Sequence, residues 1–272
     1  MPEDSTGIPF VKMHGCGNDY IYVNTFENEI ADPAGFARAL SDRHTGIGGD
    51  GLILLMPPET DADCRMRMFN IDGSEGEMCG NGIRCLAKLF HDDLRRGEQR
   101  VNVETLSGVR SIELVFDGVE VVGATVDMGR PSVGPAAVGA EAEMDGLTLV
   151  SMGNPHAVKF VDDLDAIDLA REGPALATHS AFAHGINAHF VQVLGRDRVR
   201  VLHWERGSGP TKACGTGACA VLVAAARAGL TDWRITAELP GGELVLDGVD
   251  QPEILMTGPA VEVFRGVAQP RR

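Results

Sequence analysis

Cys79-Gly80-Asn81-Gly82 and, about half a chain later, Cys214-Gly215-Thr216-Gly217 are near-copies of one another. Each opens an apolar segment bearing Ala and Leu that reads as a buried helix. The first N–H groups of a helix have no partner inside it and the dipole is positive there, so a thiolate or a bound anion is favoured at that end. A free thiol titrates at about 8.5, and a helix N-terminus lowers this. The glycines after each cysteine let backbone N–H groups close on a carboxylate without a side chain in the way. One such cysteine reads equally well as a small core residue. Two at matching places favour a functional reading, in which two similar domains each present a sulfur to one substrate. That arrangement suits taking a proton from one face of a carbon and returning one to the other.

Working outward, both halves follow one plan. In the first, residues 8–12 and 20–24 read as an opening hairpin around a turn rich in Gly, Asn and Asp. Residues 33–42 read as a helix with Pro33 at its first position, and 52–55 and 65–69 as strands. Ile83, Leu86, Ala87, Phe90 and Leu94 recur at helical spacing until Arg95-Arg96-Gly97 ends the run. Strands at 101–105, 111–116 and 119–127 complete this half, and Gly129 to Pro135 reads as a crossover between domains. In the second half, strands near 147–151, 156–161, 189–194 and 198–204 lead through a Gly-rich loop to the helix Ala218–Ala228. That helix is apolar almost throughout before Arg227, as suits one surrounded by sheets. Strands at 234–238, 243–247 and 253–257 follow, and 261–264 alternates as a last strand. The expected fold is α+β: two pseudo-symmetric domains, each a curved, mainly antiparallel sheet wrapped around a central helix. Residues 1–128 form the first domain and 129–260 the second, with the final strand, 261–272, returning to the first.

Composition narrows the function classes. The 272 residues are 44% hydrophobic and 23% charged, an ordinary globular balance. A net charge of −15 argues against nucleic acid and anionic membrane surfaces as partners. The N-terminal residues lack the basic and apolar regions of a signal peptide, and no apolar run spans a bilayer, so a cytoplasmic location is expected. The six cysteines are expected to be reduced. Cys79 and Cys85, like Cys214 and Cys219, are not spaced as zinc ligands usually are, and no metal is expected.

Further candidates lie in the loops. Gly46 to Gly51 formally matches a dinucleotide fingerprint, but a helix precedes it and a strand follows, the reverse of the required context. A tight turn is the better reading. Asn18, Asn70, Asn154 and Asn187 stand in Gly-rich loops, where Asn offers both donor and acceptor to a zwitterion; singly, each also reads as a turn residue. Glu205-Arg206 ends an alternating strand, as either an exposed surface pair or a site pair. His156 reads as a general base or as a hydrogen-bonded strand residue.

At these residues the chain closely resembles the diaminopimelate epimerases. The matching stretches are Met13-His14-Gly15-Cys16-Gly17-Asn18-Asp19-Tyr20, Asp42-Arg43-His44-Thr45-Gly46-Ile47-Gly48, Phe69-Asn70-Ile71-Asp72-Gly73-Ser74-Glu75 with the first cysteine element, Met152-Gly153-Asn154-Pro155-His156, and Glu205-Arg206-Gly207 with the second. They span both halves in family order. The resemblance implies a cofactor-free interconversion of LL- and meso-diaminopimelate, on the route to lysine and peptidoglycan, with Cys79 and Cys214 as the two acid/base residues. It carries substrate contacts to Asn18, Asn70, Gly80, Asn81, Asn154, Asn187, Glu205, Arg206, Gly215 and Thr216. It makes His156 the group that tunes Cys79, and Glu205 the group that tunes Cys214. Many members carry Gln where this chain has Gly51. A racemase for another amino acid and a thiol redox or binding module are the alternatives, and exposed edge strands make a homodimer an expectation.

Overall fold

Cys16 and Gly17 both hold positive φ, 52° and 75°. Two such residues form the hairpin loop whose twist matches that of its flanking strands. The structure, a computed structural model, describes residues 7–249 and 252–269; positions 270–272 of the expected final strand lie outside the described residues. The turn joins β1 (Ile8–Gly15) to β2 (Asn18–Asn24) with Gly15 opposite Asn18. Asn18 thereby starts its strand directly beside the turn.

The chain forms two compact units. One runs to Val126 and takes in the chain again from Pro259; the other is Asp127–Gly258. Within the first, α1 (Pro33–Ser41) leads to β3 (Gly51–Met56), parallel to β2. β4 (Cys64–Asn70) and β5 (Glu75–Gly76) follow antiparallel. Next, α2 (Gly80–Asp93) carries the chain to β6 (Arg100–Thr105), parallel to β4. Hairpins add β7 (Gly108–Asp117) and β8 (Glu120–Asp127).

The second unit repeats this order. After β9 (Ser132–Val133) and the short α3 (Pro135–Val138) come β10 (Leu147–Ser151) and β11 (Pro155–Phe160), an antiparallel pair. α4 (Leu169–Ala177) crosses to β12 (Asn187–Gly195), parallel to β11. β13 (Arg198–Glu205) and β14 (Gly209–Thr211) are antiparallel to what precedes them. α5 (Gly215–Arg227) then crosses to β15 (Arg234–Leu239), parallel to β13, followed by β16 (Gly242–Asp247) and β17 (Leu255–Pro259). Finally β18 (Val261–Ala268) pairs with β1, placing Ile8 opposite Ala268.

Each unit has one long helix inside, α2 or α5, and one long helix outside, α1 or α4, the second unit carrying the short α3 as well. Residues 217–225 of α5 are all buried, as its uniform apolarity requires. The sequence stripe on α2 accounts for only part of its burial, because residues 80–91 are buried on every side. The polar residues among them are satisfied locally: Lys88 Nζ donates to the Val121 carbonyl at 2.7 Å and pairs with Asp92 at 2.9 Å. Outside, α1 starts with Asp32 accepting the Gly35 N–H at 2.9 Å and with Pro33 at its first position. Its Ala37 and Leu40 share a core with Ile21, Val23, Leu52, Leu54 and Phe69. Central strands covered on both faces read as apolar runs, which explains Leu52-Ile53-Leu54-Leu55.

The outer helix of the second unit, α4, is not foreseen from sequence, because Gly173 and Pro174 stand inside it and both disfavour helix interiors. Packing overrides propensity here. A Cβ on Gly173 would lie 2.5 Å from the Trp204 ring, so the glycine lets the indole seat against the helix. Leu169 and Leu176 join Trp204 around Ala188 and Phe190.

Gly51 has a steric cause. A Cβ there would sit 2.1 Å from the Phe69 carbonyl oxygen and 3.0 Å from a Tyr20 ring carbon, so a larger side chain at this position has no room unless β3 and β4 part. Gly51→Ala is expected to cost roughly 1–3 kcal/mol as overpacking, read as a lowered denaturation midpoint; unchanged stability would show that the strands separate freely.

Candidate active site

The first-unit candidates gather where the β1–β2 turn meets the start of α2. Cys79 is the N-cap, and its sulfur accepts the Gly82 N–H at 3.4 Å. The thiol donates to Asn18 Oδ1 at 3.3 Å, and Asn81 Nδ2 donates to the same oxygen at 3.4 Å. Asp50 decides which end of Asn18 faces the sulfur: Asn18 Nδ2 donates to Asp50 Oδ2 at 2.6 Å. Asp50 is itself held by the Asp19 N–H at 3.0 Å and by Arg43 at 2.9 Å. Arg84, with no exposed surface, fixes Asn81 from behind. It donates to Asn81 Oδ1 at 2.8 Å, to the Gly80 carbonyl at 3.2 Å and to the Pro259 carbonyl at 3.3 Å. Tyr20 lies against Cys79; burial, then the neighbouring Cys79 and Asp50, push its phenol well above the usual range. Asn70 stands apart from this cluster in its bonding, its amide donating to Ser74 Oγ at 3.0 Å to close the loop after β4.

The second-unit candidates gather at the start of α5. Cys214 is the N-cap, 5% exposed, with Thr216 Oγ1 at 3.7 Å from its sulfur. Burial first, then the charge and hydrogen bond of Glu205, push this thiol well up, against lesser opposing contributions from Thr216 and the Gly217 N–H. The lowering expected at a helix N-terminus is therefore reversed at Cys214, because desolvation and a neighbouring carboxylate outweigh the dipole. Cys214 is a thiol at neutral pH. Thr211 Oγ1 holds Glu205 by donating to its Oε1 at 2.5 Å.

Asn154 Nδ2 donates to Thr216 Oγ1 at 3.4 Å, and His156 Nε2 meets Asn154 Oδ1 at 2.9 Å. The other nitrogen of His156 meets His189 Nε2 at 2.8 Å. Burial, then His203 and Arg206, bring the His156 pKa down to about 3, so the ring is neutral with both nitrogens engaged. In that state it has no charge with which to tune a thiol directly. Asn187 braces the backbone, donating to the Pro155 carbonyl and accepting the Arg206 N–H, each at 2.9 Å. The exposed Arg206 guanidinium donates to the His184 carbonyl at 3.2 Å.

Sequence reasoning missed Asp50, Tyr20, Arg84, Thr211, His189 and His203. Asp50 carried a signal, since it is the one charged residue in the Gly-rich loop, Gly46 to Gly51, read as a turn. The others become visible only when register is known.

A family model described as diaminopimelate epimerase matches residues 10–134 and 148–263. A diaminopimelate epimerase of Acetivibrio thermocellus is 46% identical, covering 94% of this chain and 97% of that protein. One from Methanococcus maripaludis is 41% identical, covering 94% and 98%. Among solved structures, a PhzF-family phenazine biosynthesis protein of Bacillus anthracis superposes with a TM-score of 0.73 at 15% identity, covering 95% of this chain and 98% of that one. A hydroxyproline epimerase of Agrobacterium vitis gives 0.67 at 16%, covering 95% and 90%. These distant likenesses show that the α+β fold is shared.

Proposed function

The chain belongs to the diaminopimelate epimerase family, and from that we propose how its residues interconvert LL- and meso-2,6-diaminopimelate. Cys79 and Cys214 are the two acid/base residues, one taking the α-proton as thiolate while the other, as thiol, returns one to the opposite face. Their roles exchange with direction. The observation that carries this reading is that both cysteines are N-caps of equivalent helices in a repeated fold.

The family chemistry uses no cofactor, so the carbanion that develops at Cα needs stabilisation by protein groups aimed at the substrate carboxylate. The N–H groups that open α2 and α5, after Gly80-Asn81 and Gly215-Thr216, are the donors for it. Burial and Glu205 keep a proton on Cys214, which makes it the resting acid. Asn18, Asn70, Asn81, Asn154 and Asn187 serve the polar groups of the substrate, and Arg206 takes its distal carboxylate as a bidentate partner. Asn70 and Asn187 act in part by shaping their loops.

The test is solvent deuterium incorporation. In D2O, each epimer is expected to yield product labelled at Cα; unlabelled product would overturn the two-base reading. Mild oxidation is expected to inactivate the enzyme with a Cys79–Cys214 linkage seen by mass spectrometry, and inactivation without that linkage would count against a shared substrate.

No described helix is long and apolar enough to cross a membrane. We propose a cytoplasmic location, which fractionation of cells would test. We also propose that two copies associate through β18, where Val261, Val263, Phe264 and Val267 are 38–61% exposed. Sedimentation at the mass of a single chain would overturn this.

A further inference from the structure

Behind the candidate contact Asn154 runs a file of three fully buried histidines. β11, β12 and β13 bring them together: His189 lies directly opposite His203, and His156 is two residues from the position paired with His189. Side chains two apart on a strand share a face, so all three rings point the same way. His156 Nδ1 meets His189 Nε2 at 2.8 Å, and His189 Nδ1 meets His203 Nδ1 at 2.7 Å. The rings pack tilted or edge-on with centroids 5.0 and 4.9 Å apart. His203 Nε2, at the far end, is buried with no hydrogen-bond partner among the described residues. The start of α5 is fitted around this file, because a Cβ on Gly217 would lie 2.4 Å from His189 Cε1.

A chain of neutral imidazoles has only two consistent proton arrangements, since each ring has one donor and one acceptor nitrogen. In one, every N–H points toward Asn154: His203 Nδ1–H donates to His189, His189 Nε2–H to His156, and His156 Nε2–H to Asn154 Oδ1. In the other, every proton is reversed, Asn154 turns its NH2 toward His156, and His203 is left with a buried N–H that has no acceptor. Orphaned buried N–H groups are rarer than unused acceptors, so the first arrangement prevails.

We infer that His189 and His203 are positioning residues, whose hydrogen-bond chain fixes the amide of Asn154 with its Nδ2 toward Thr216 and the N-terminus of α5. Burial keeps all three rings neutral, which the chain requires. The inference rests on the reading of Asn154 as a substrate contact.

Nitrogen-15 NMR of the wild-type enzyme at neutral pH gives the first test. The expected tautomers are Nε2–H at His156 and His189 and Nδ1–H at His203; an Nε2–H signal at His203, or any imidazolium among the three, would overturn the inference. Kinetics gives the second. His203→Leu deletes the donor at the end of the chain, and about a tenfold loss in kcat/KM is expected, carried mainly by KM, with mixed tautomers at His156. His203→Asn puts an amide N–H near the place of Nδ1–H and is expected to recover most of that loss and the His156 tautomer. Equal losses in both variants, or none in His203→Leu, would overturn it. If His203→Leu does not fold, the wild-type tautomers still decide. Absence of deuterium exchange by the wild-type enzyme would instead remove the functional reading and leave the tautomer result standing.

Discussion

Cys79→Ala and Cys214→Ala are each expected to lower epimerisation on the order of 10³-fold while leaving the fold in place. A positioned acid or base contributes roughly 10²–10⁴-fold, and a two-base reaction loses inversion when either member is absent. Neither side chain is a large part of the core. Cys79 caps α2 through one long sulfur contact, and Cys214 makes no side-chain cap bond to α5, so the stability cost should stay within about 1 kcal/mol. The remaining sulfur has a diagnostic property: one thiolate can remove and return a hydrogen on a single face. Each variant is therefore expected to retain slow deuterium exchange from one epimer without inversion, and the two variants should favour opposite epimers. Proton NMR in D2O reads both quantities. Retention of a tenth of wild-type epimerisation by either variant, or exchange of both epimers by one, would refute the assignment.

The second large effect expected is an acid instability of the unit that holds the histidines. His156, His189 and His203 have their pKa values lowered by burial, those of His156 and His203 to about 3. In the unfolded chain they titrate at about 6.5, so below that pH the unfolded state binds more protons than the folded one. The stabilisation is present above pH 6.5 and is lost as pH falls toward about 3. Each histidine steepens the loss by about 1.4 kcal/mol per pH unit. Carboxylates held low by partners, such as Asp19 beside Arg43 and Lys12, contribute only near and below about pH 4, so a decline between pH 6.5 and 4.5 belongs to the histidines. Both tryptophans, Trp204 and Trp233, lie in the second unit. Urea unfolding followed by their fluorescence at pH 7.5, 6 and 5 measures the slope, and His203→Asn should flatten it. Equal midpoints at the three pH values would contradict the buried neutral chain.

Much of the fold was legible because its signals are local. The Pro33 start of α1, the apolar length of α5 and the hairpin before Asn18 each depend on a few adjacent residues. The parallel pair β11–β12 was harder to read, since its crossover helix contains Gly173 and Pro174 and is held by Trp204 from a strand far away in sequence. Asp50 and Arg84 were hidden for a related reason. One looked like a turn residue and the other lay in a helix read from its apolar positions alone, yet they fix Asn18 and Asn81 beside Cys79.

The sequence by itself determined the family, the repeated cysteine-capped helices and the candidates for chemistry, because a helix start and its capping residue are contiguous along the chain. Only the tertiary structure decided the state of those groups. Cys214 keeps its proton because the fold removes it from water and sets Glu205 beside it. Three histidines scattered over 48 positions from His156 to His203 become one hydrogen-bonded file because strand pairing places them on a common face. Protonation depends on distance and dielectric, and both are properties of packing.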